Sequence, residues 1–306
     1  MNFMQRIKRS LLIFTFIFFA IHAAIAQDEG LNNIISPGAG LEKLADGFLF
    51  TEGPTADTKG NVWFTDQPNN RIIQWNEGSG FSVFLEPAGR ANGLALDKEG
   101  NIWACADEKT EIWRISPEKK IEIIAGSFDG KLFNGPNDLW ISPTGGLYFT
   151  DPFYRRNWWT YTQMPQEKMR VYHLSADHKR ITVAADDLLQ PNGIVGSPDG
   201  KSLYVADIRA NKTWVYTINP DGTLTGKKLF CELGSDGMTI DSKGNIYLTG
   251  KGVTVFDKTG KKLGNIAVPE SWTANVCFGG KNRKILYITA SKGFYSIRLR
   301  VKGTAG

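Results

Sequence analysis

The chain has 306 residues, 42% of them hydrophobic and 22% charged, with a formal charge of +5. Residues 1–26 hold three bases and no acid, so subtracting three leaves about +2 for the rest, too weak a field to argue for nucleic acid as a partner. Cys105, Cys231 and Cys277 are far apart and lack the CxxC spacing of a zinc or redox site. Buried thiols are the expectation for them, with one disulfide left open if the compartment is oxidising.

In chain order, Arg6, Lys8 and Arg9 precede an apolar run over 11–21 and then Ala24-Ile25-Ala26 before Gln27. That is the pattern of a secretory signal peptide over residues 1–26. A membrane anchor fits less well, because the run is short and ends at a processing site. The expectation is an exported protein, periplasmic or secreted, with no membrane attachment after cleavage. Residues 27–40 are rich in Gly, Asn and Ser and read as a flexible tether. Residues 41–300 read as a single domain.

From Glu52 onward, short apolar or aromatic runs alternate with Gly, Asn, Asp and Pro, with no stretch of helical periodicity, so the domain reads as all-β. The turn positions Gly60, Gly100, Gly145, Gly200, Gly244 and Asn282 lie 40, 45, 55, 44 and 38 residues apart. A period in the forties with several strands per copy is that of a propeller blade, and six copies predict a six-bladed β-propeller. The last copy is one strand short at the C-terminus, while 41–48 is a spare at the N-terminus. The N-terminal strand is therefore expected to complete the last blade and close the ring, removing an open sheet edge.

Aligned on these turns, the copies begin Glu52-Gly53, Asn92-Gly93, Asn137-Asp138, Asn192-Gly193, Asp236-Gly237 and Asn275-Val276. Each leading residue offers a side-chain oxygen, and only Glu52 and Asp236 carry charge. Arranged about one axis, those oxygens meet at one end of the central channel. Oxygen donors of this kind suit a hard divalent cation, calcium above all, with zinc and magnesium compatible. Taken singly, each is as well explained as a turn former. Asp66, Asp107, Asp151 and Asp207 follow second strands and read mainly as turn caps.

The long interval in the third copy holds an insertion, Asp151-Pro152-Phe153-Tyr154-Arg155-Arg156-Asn157-Trp158-Trp159-Thr160-Tyr161, on the same face as the leading residues. It reads either as an aromatic, basic rim around a binding mouth or as a loop covering its own small core. His173 and His178 stand in a strand and a basic turn without a Ser or Cys nucleophile, which argues against a catalytic triad. Phosphate-cradling glycine loops are absent.

Thr51-Glu52-Gly53-Pro54, Phe133-Asn134-Gly135-Pro136-Asn137-Asp138-Leu139, Gln190-Pro191-Asn192-Gly193-Ile194 and Ser235-Asp236-Gly237-Met238 resemble the gluconolactonase, regucalcin (senescence marker protein) and lactonase-type propeller family. The resemblance implies a divalent metal held by Glu52, Asn137, Asn192 and Asp236, and hydrolysis of a sugar lactone or similar cyclic ester. The metal would polarise the ring carbonyl, and Glu52 and Asp236 would be the catalytic carboxylates, with Asp236 the first candidate for the base. Asn92 and Asn275 would touch substrate or bind through water. Arg90, Lys131, Arg155 and Arg156 would hold sugar hydroxyls or a product carboxylate, with Tyr154 and Trp158 as a stacking wall; for each cation a solvated surface is the plain alternative. An esterase or phosphotriesterase on the same metal site, or a non-catalytic propeller that binds a sugar or a protein around structural calcium, fits the same residues. The oligomeric state is left open.

Overall fold

The computed structural model describes residues 29–304; the signal peptide expected over 1–26 lies outside them. Blade one comprises Thr51–Ala56, Asn61–Asp66, Arg71–Asn76 and Gly80–Leu85, and blade two Ala91–Leu96, Ile102–Ala106, Glu111–Ile115 and Ile121–Ala125. Blade three is Leu139–Ile141, Leu147–Asp151, Arg170–Leu174 and Ile181–Ala185, and blade four Pro191–Gly196, Ser202–Asp207, Lys212–Ile218 and Leu224–Cys231. Met238–Ile240, Ile246–Gly250, Gly252–Phe256 and Lys262–Ile266 form blade five. In blade six, Thr273–Gly279, Ile285–Ala290 and Gly293–Arg298 are completed on the outside by Glu42–Ala45. The expected six-bladed ring and its N-terminal closure are both present.

Each blade is a four-stranded antiparallel meander whose second strand is almost wholly buried, as in Val62-Trp63-Phe64 and Leu147-Tyr148-Phe149. These strands lie between neighbouring sheets, so both faces meet apolar surface and the alternation of a half-exposed strand disappears. Cys105, Cys231 and Cys277 are all free thiols.

Four of the six inner strands share one irregularity. Pairing with the second strand breaks between Glu52 and Thr55, Ala91 and Leu94, Pro191 and Ile194, and Thr273 and Asn275. Such bulges redirect side chains out of the ladder. Here they fall on the leading residues of the repeat. The glycine that follows answers a steric demand: a Cβ on Gly53 would stand 2.1 Å from the Asn92 carbonyl oxygen, and one on Gly193 2.7 Å from that of Asp236. Neighbouring inner strands therefore approach to backbone contact around the axis.

The tether expected over 27–40 is corrected in its described part. Glu29–Asn33 is a 3-10 turn, and Leu31, Ile34 and Ile35 are buried against Tyr247, Val255 and Ile266 of blade five and Phe278 and Leu299 of blade six. Backbone bonds from Ser36 to Arg298 and from Arg300 to Ile34 pin the segment. Three apolar side chains at i, i+3 and i+4 decide against the loosening effect of the surrounding Gly and Asn. Leu31→Ala should lower unfolding free energy by about 3 kcal/mol in a denaturant titration; a loss below about 0.5 kcal/mol would mean that the segment is not part of the core.

Candidate metal centre and its rim

The six leading residues are brought to one end of the channel. Around the ring, the Gly93 N–H donates to the Asn137 carbonyl at 2.8 Å and the Gly237 N–H to that of Ala274, also at 2.8 Å. The Asn275 Nδ2 donates to Glu52 Oε2 at 3.1 Å, joining residues from blades six and one. Between neighbouring blades, Asn192 Nδ2 donates to Asp236 Oδ1 at 2.9 Å and to the Tyr154 hydroxyl at 2.8 Å. Glu52, Asn92, Asn137, Asn192 and Asn275 are all buried.

Two positions differ from the simple picture of six inward oxygens. Asn275 turns its oxygen onto its own strand, where it accepts from the Val276 N–H at 2.8 Å, and presents its amino group to the acids. It positions carboxylates instead of offering a donor oxygen. The second difference is Asp138, which the repeat alignment treats only as the neighbour of Asn137. Its Oδ2 lies 3.4 Å from Asn275 Nδ2, making it a third buried acid beside Glu52. Sequence reasoning likewise misses Trp272, whose indole N–H donates to Asp236 Oδ2 at 2.6 Å.

The electrostatics of this centre are those of negative charge without enough compensation. Burial first, then the charges of Asp236 and Asp138, push Glu52 well above the usual carboxylate range. Burial raises Asp138 to about 7 and Asp236 to about 6; the latter is held down in part by its bonds from Trp272 and Asn192 and by the charge of Arg156. The Oδ1 atoms of Asn92 and Asn192 are buried without a hydrogen-bond partner. A buried amide oxygen left unpaired costs on the order of 1–3 kcal/mol. Unpaired neutral oxygens beside acids forced toward protonation fit an oxygen-loving divalent cation, which would satisfy both. Among the described residues no three of His, Cys, Asp and Glu form a ligand cluster of their own, so the donor set is two carboxylates among amides.

The recurrent aspartates act as staples more than as turn caps. Asp66 accepts from the Leu49 and Phe50 N–H groups, Asp151 from Asn134 and Gly135, and Asp207 from Leu189 and Gln190. Each of these three carboxylates thus fixes the segment leading into its own blade's donor residue, whereas Asp107 accepts from Arg156 Nε.

The insertion is partly its own core and partly a rim. Trp159 is buried, stacks on Tyr161 and Phe153, and donates to the Asp107 carbonyl. Trp158 instead carries two guanidiniums, with Arg90 4.6 Å and Arg156 5.5 Å from its ring. Arg90 is further tied to the Pro68 carbonyl and lies 3.8 Å from Glu108. Arg155 is exposed, and Lys131 is in an exposed ion pair with Glu167, so neither is brought to the donors. A cavity of about 730 Å³ occupies the opposite, turn end of the channel and reaches Asp138 and Asn275 from behind; Tyr154, Arg156 and Trp158 do not line it.

Ring and centre together define a six-bladed propeller with an oxygen-donor site on its axis. The SMP-30/Gluconolactonase/LRE-like region matches residues 50–292, and the chain belongs to that family. It is 30% identical to the gluconolactonase of Zymomonas mobilis over 89% of this chain and 85% of that one. It is 29% identical to the pentonolactonase XacC of Haloferax volcanii, over 79% and 81%. Among solved structures it resembles a gluconolactonase from Xanthomonas campestris, at TM-score 0.82 and 26% identity, covering 89% of this chain and 93% of that one. The fold also matches a calcium-binding regucalcin from Agrobacterium tumefaciens, at TM-score 0.73 and 21% identity, over 87% and 95%.

Proposed function

We propose that the protein is an exported, metal-dependent lactonase that opens a sugar lactone by hydrolysis. The observation that carries this reading is the meeting of Glu52, Asn192 and Asp236 at one end of the channel, with amide oxygens of Asn92 and Asn192 left unpaired. The family membership and the lactone-cleaving relatives support it. Glu52, Asn137, Asn192 and Asp236 would hold a divalent cation, calcium by the chemistry of the set. Such a cation supplies Lewis-acid polarisation of the ring carbonyl and cancels buried negative charge.

The chain's own residues do the rest. Trp272 and Asn192 fix the two oxygens of Asp236, and Asn275 fixes Glu52 against Asp138. Asp236, the first candidate for the base, is weakened in that role if it also holds a cation. Asp138 lies outside the donor set, a buried carboxylate beside Asn275 with no cation to hold, which makes it the second candidate for the base. Tyr154, bonded to Asn192, would supply an aromatic edge beside the centre for a sugar ring, while Trp158 supports the guanidiniums of Arg90 and Arg156.

The test is hydrolysis of glucono-δ-lactone by the mature protein before and after chelation. Chelation should remove at least about 100-fold of the rate, and calcium should restore it. Turnover that survives exhaustive chelation would end the metal-dependent reading. A protein that loses stability on chelation but hydrolyses no lactone or simple ester would be a binding propeller instead.

A further inference from the structure

The wall of the mouth between blades two and four is built around one guanidinium. Arg156 Nε donates to Asp107 Oδ2 at 2.9 Å, and the Arg156 side chain is only 20% exposed. Its guanidinium lies 5.6 Å from the Tyr154 ring and 5.5 Å from the Trp158 ring. Tyr154 in turn bonds Asn192 of the donor set, and the charge of Arg156 reaches Asp236. The group is therefore held in place beside the centre, in contact with the ring that bonds Asn192. Its terminal amino groups have no hydrogen-bond partner among the described residues.

A fixed guanidinium with its fork free is the natural partner of a carboxylate, which it can bind through two parallel bonds. Sugar hydroxyls would accept the same donors, but only a carboxylate matches the fork in both geometry and charge. Asp107 and Glu108 hold Arg156 and Arg90 in place, and the two guanidiniums share Trp158; the buried acids Glu52, Asp138 and Asp236 stand at the centre itself, where a bound divalent cation would offset two of their three charges. Tyr154 links the two: its ring lies 5.6 Å from the Arg156 guanidinium and its hydroxyl accepts from Asn192, so a hexose-derived acid held at the donor set would carry its far carboxylate toward Arg156.

We propose that Arg156 is a specificity-determining residue that binds a carboxylate at the far end of the substrate, so that the preferred substrates are lactones of sugar diacids. The inference rests on the lactonase reading for its kinetic arm only. The chemistry is balanced hydrolysis: one water adds across the acyl–oxygen bond, the ring oxygen leaves as a hydroxyl, and the product carries two carboxylates, one of them already present in the substrate.

The experiment compares glucono-δ-lactone, which is neutral, with glucaro-γ-lactone, which bears a carboxylate, in the calcium-loaded wild type, Arg156→Gln and Arg156→Lys. Arg156→Gln should lose roughly 10- to 100-fold in kcat/KM on the charged lactone, mostly through KM, and at least tenfold less on the neutral one. Arg156→Lys should recover part of the loss, because the charge returns without the fork. Equal losses on the two lactones, or none on the charged one, would overturn the proposal. Calorimetric titration with glucarate decides the question even if no lactone is turned over. The wild type should bind it roughly tenfold or more tighter than Arg156→Gln does, and equal affinities would reject the anion site while leaving the lactonase reading to its own test. Thermal melts of each variant identify any that fails to fold, and Arg156→Lys, which keeps the ion pair to Asp107, then carries the comparison.

Discussion

Glu52→Gln should abolish lactone hydrolysis while raising the melting temperature of the metal-free protein. The loss of activity is expected at roughly three orders of magnitude, about 4 kcal/mol of transition-state stabilisation, since one of the two charged donors disappears. The gain in stability follows from the same geometry. Glu52 is buried beside Asp138 and Asp236, and all three are raised above their ordinary range. A carboxyl raised on folding binds its proton more tightly in the native state, so its contribution to stability is greatest at low pH and is lost as pH rises. For Asp138 and Asp236 that window runs from 3.8 to about 7 and to about 6. The metal-free wild type should therefore weaken as pH rises through this range, and saturating calcium should flatten the trend. Glutamine keeps an oxygen for the Gly53 and Asn275 donors without the charge. The variant should melt a few degrees higher than metal-free wild type at pH 8, lose that advantage near pH 4, and gain little from calcium. Melting scans with and without calcium read all three outcomes; a variant that melts lower at pH 8 would show that the acids do not repel one another.

Most of the ring was legible because its repeat is written in residues whose chemistry is local. The Gly after each turn, the aromatic second strand and the polar leading residue each follow from a demand within one blade. Aligning them placed Glu52 and Asp236 at one centre although they are 184 residues apart. Asp138 does carry a signal, of a subtler kind. The second position of the repeat is Gly in four copies, because neighbouring backbone at Gly53, Gly93 and Gly193, and the Asn275 side chain at Gly237, leave no room for a Cβ. The two copies that break the rule, Asp138 and Val276, are therefore the places where a side chain enters the ring, and Asp138 carries an acid into it. Trp272 and the Arg156–Asp107 pair had no comparable signal. Each contact joins different blades through connecting segments, and only the assembled ring sets their separation. The docking of Leu31, Ile34 and Ile35 lies between these extremes, since their spacing was visible but the surface that receives them was not.

Phe294→Ala should be among the most destabilising single substitutions in the protein, at about 3–5 kcal/mol. Phe294 is fully buried where the first and last blades meet. Its ring stacks on Phe64 of blade one at 4.4 Å and lies nearly parallel to Tyr287 at 5.7 Å, with Trp75 and Phe81 around it. Phe294 also pairs in register with Ala45, so one residue belongs both to the aromatic seam and to the strand that closes the ring. That strand, Glu42–Ala45, is four residues long and half exposed, held by its pairing to Gly293–Arg298 and by Leu44 and Ala45 against the aromatic seam. Losing the aromatic seam removes burial and stacking together, with stacking alone worth about 0.5–1.5 kcal/mol per pair. Phe149→Ala is the matched control: it empties an equally buried site in blade three, away from the closure. Both variants should shift a denaturant midpoint by a similar amount, but only Phe294→Ala should speed amide exchange at 42–45 out of proportion to the global loss. Equal protection of those amides in the two variants would mean that the ring is held shut by blade-to-blade packing throughout, with the N-terminal strand as a passenger.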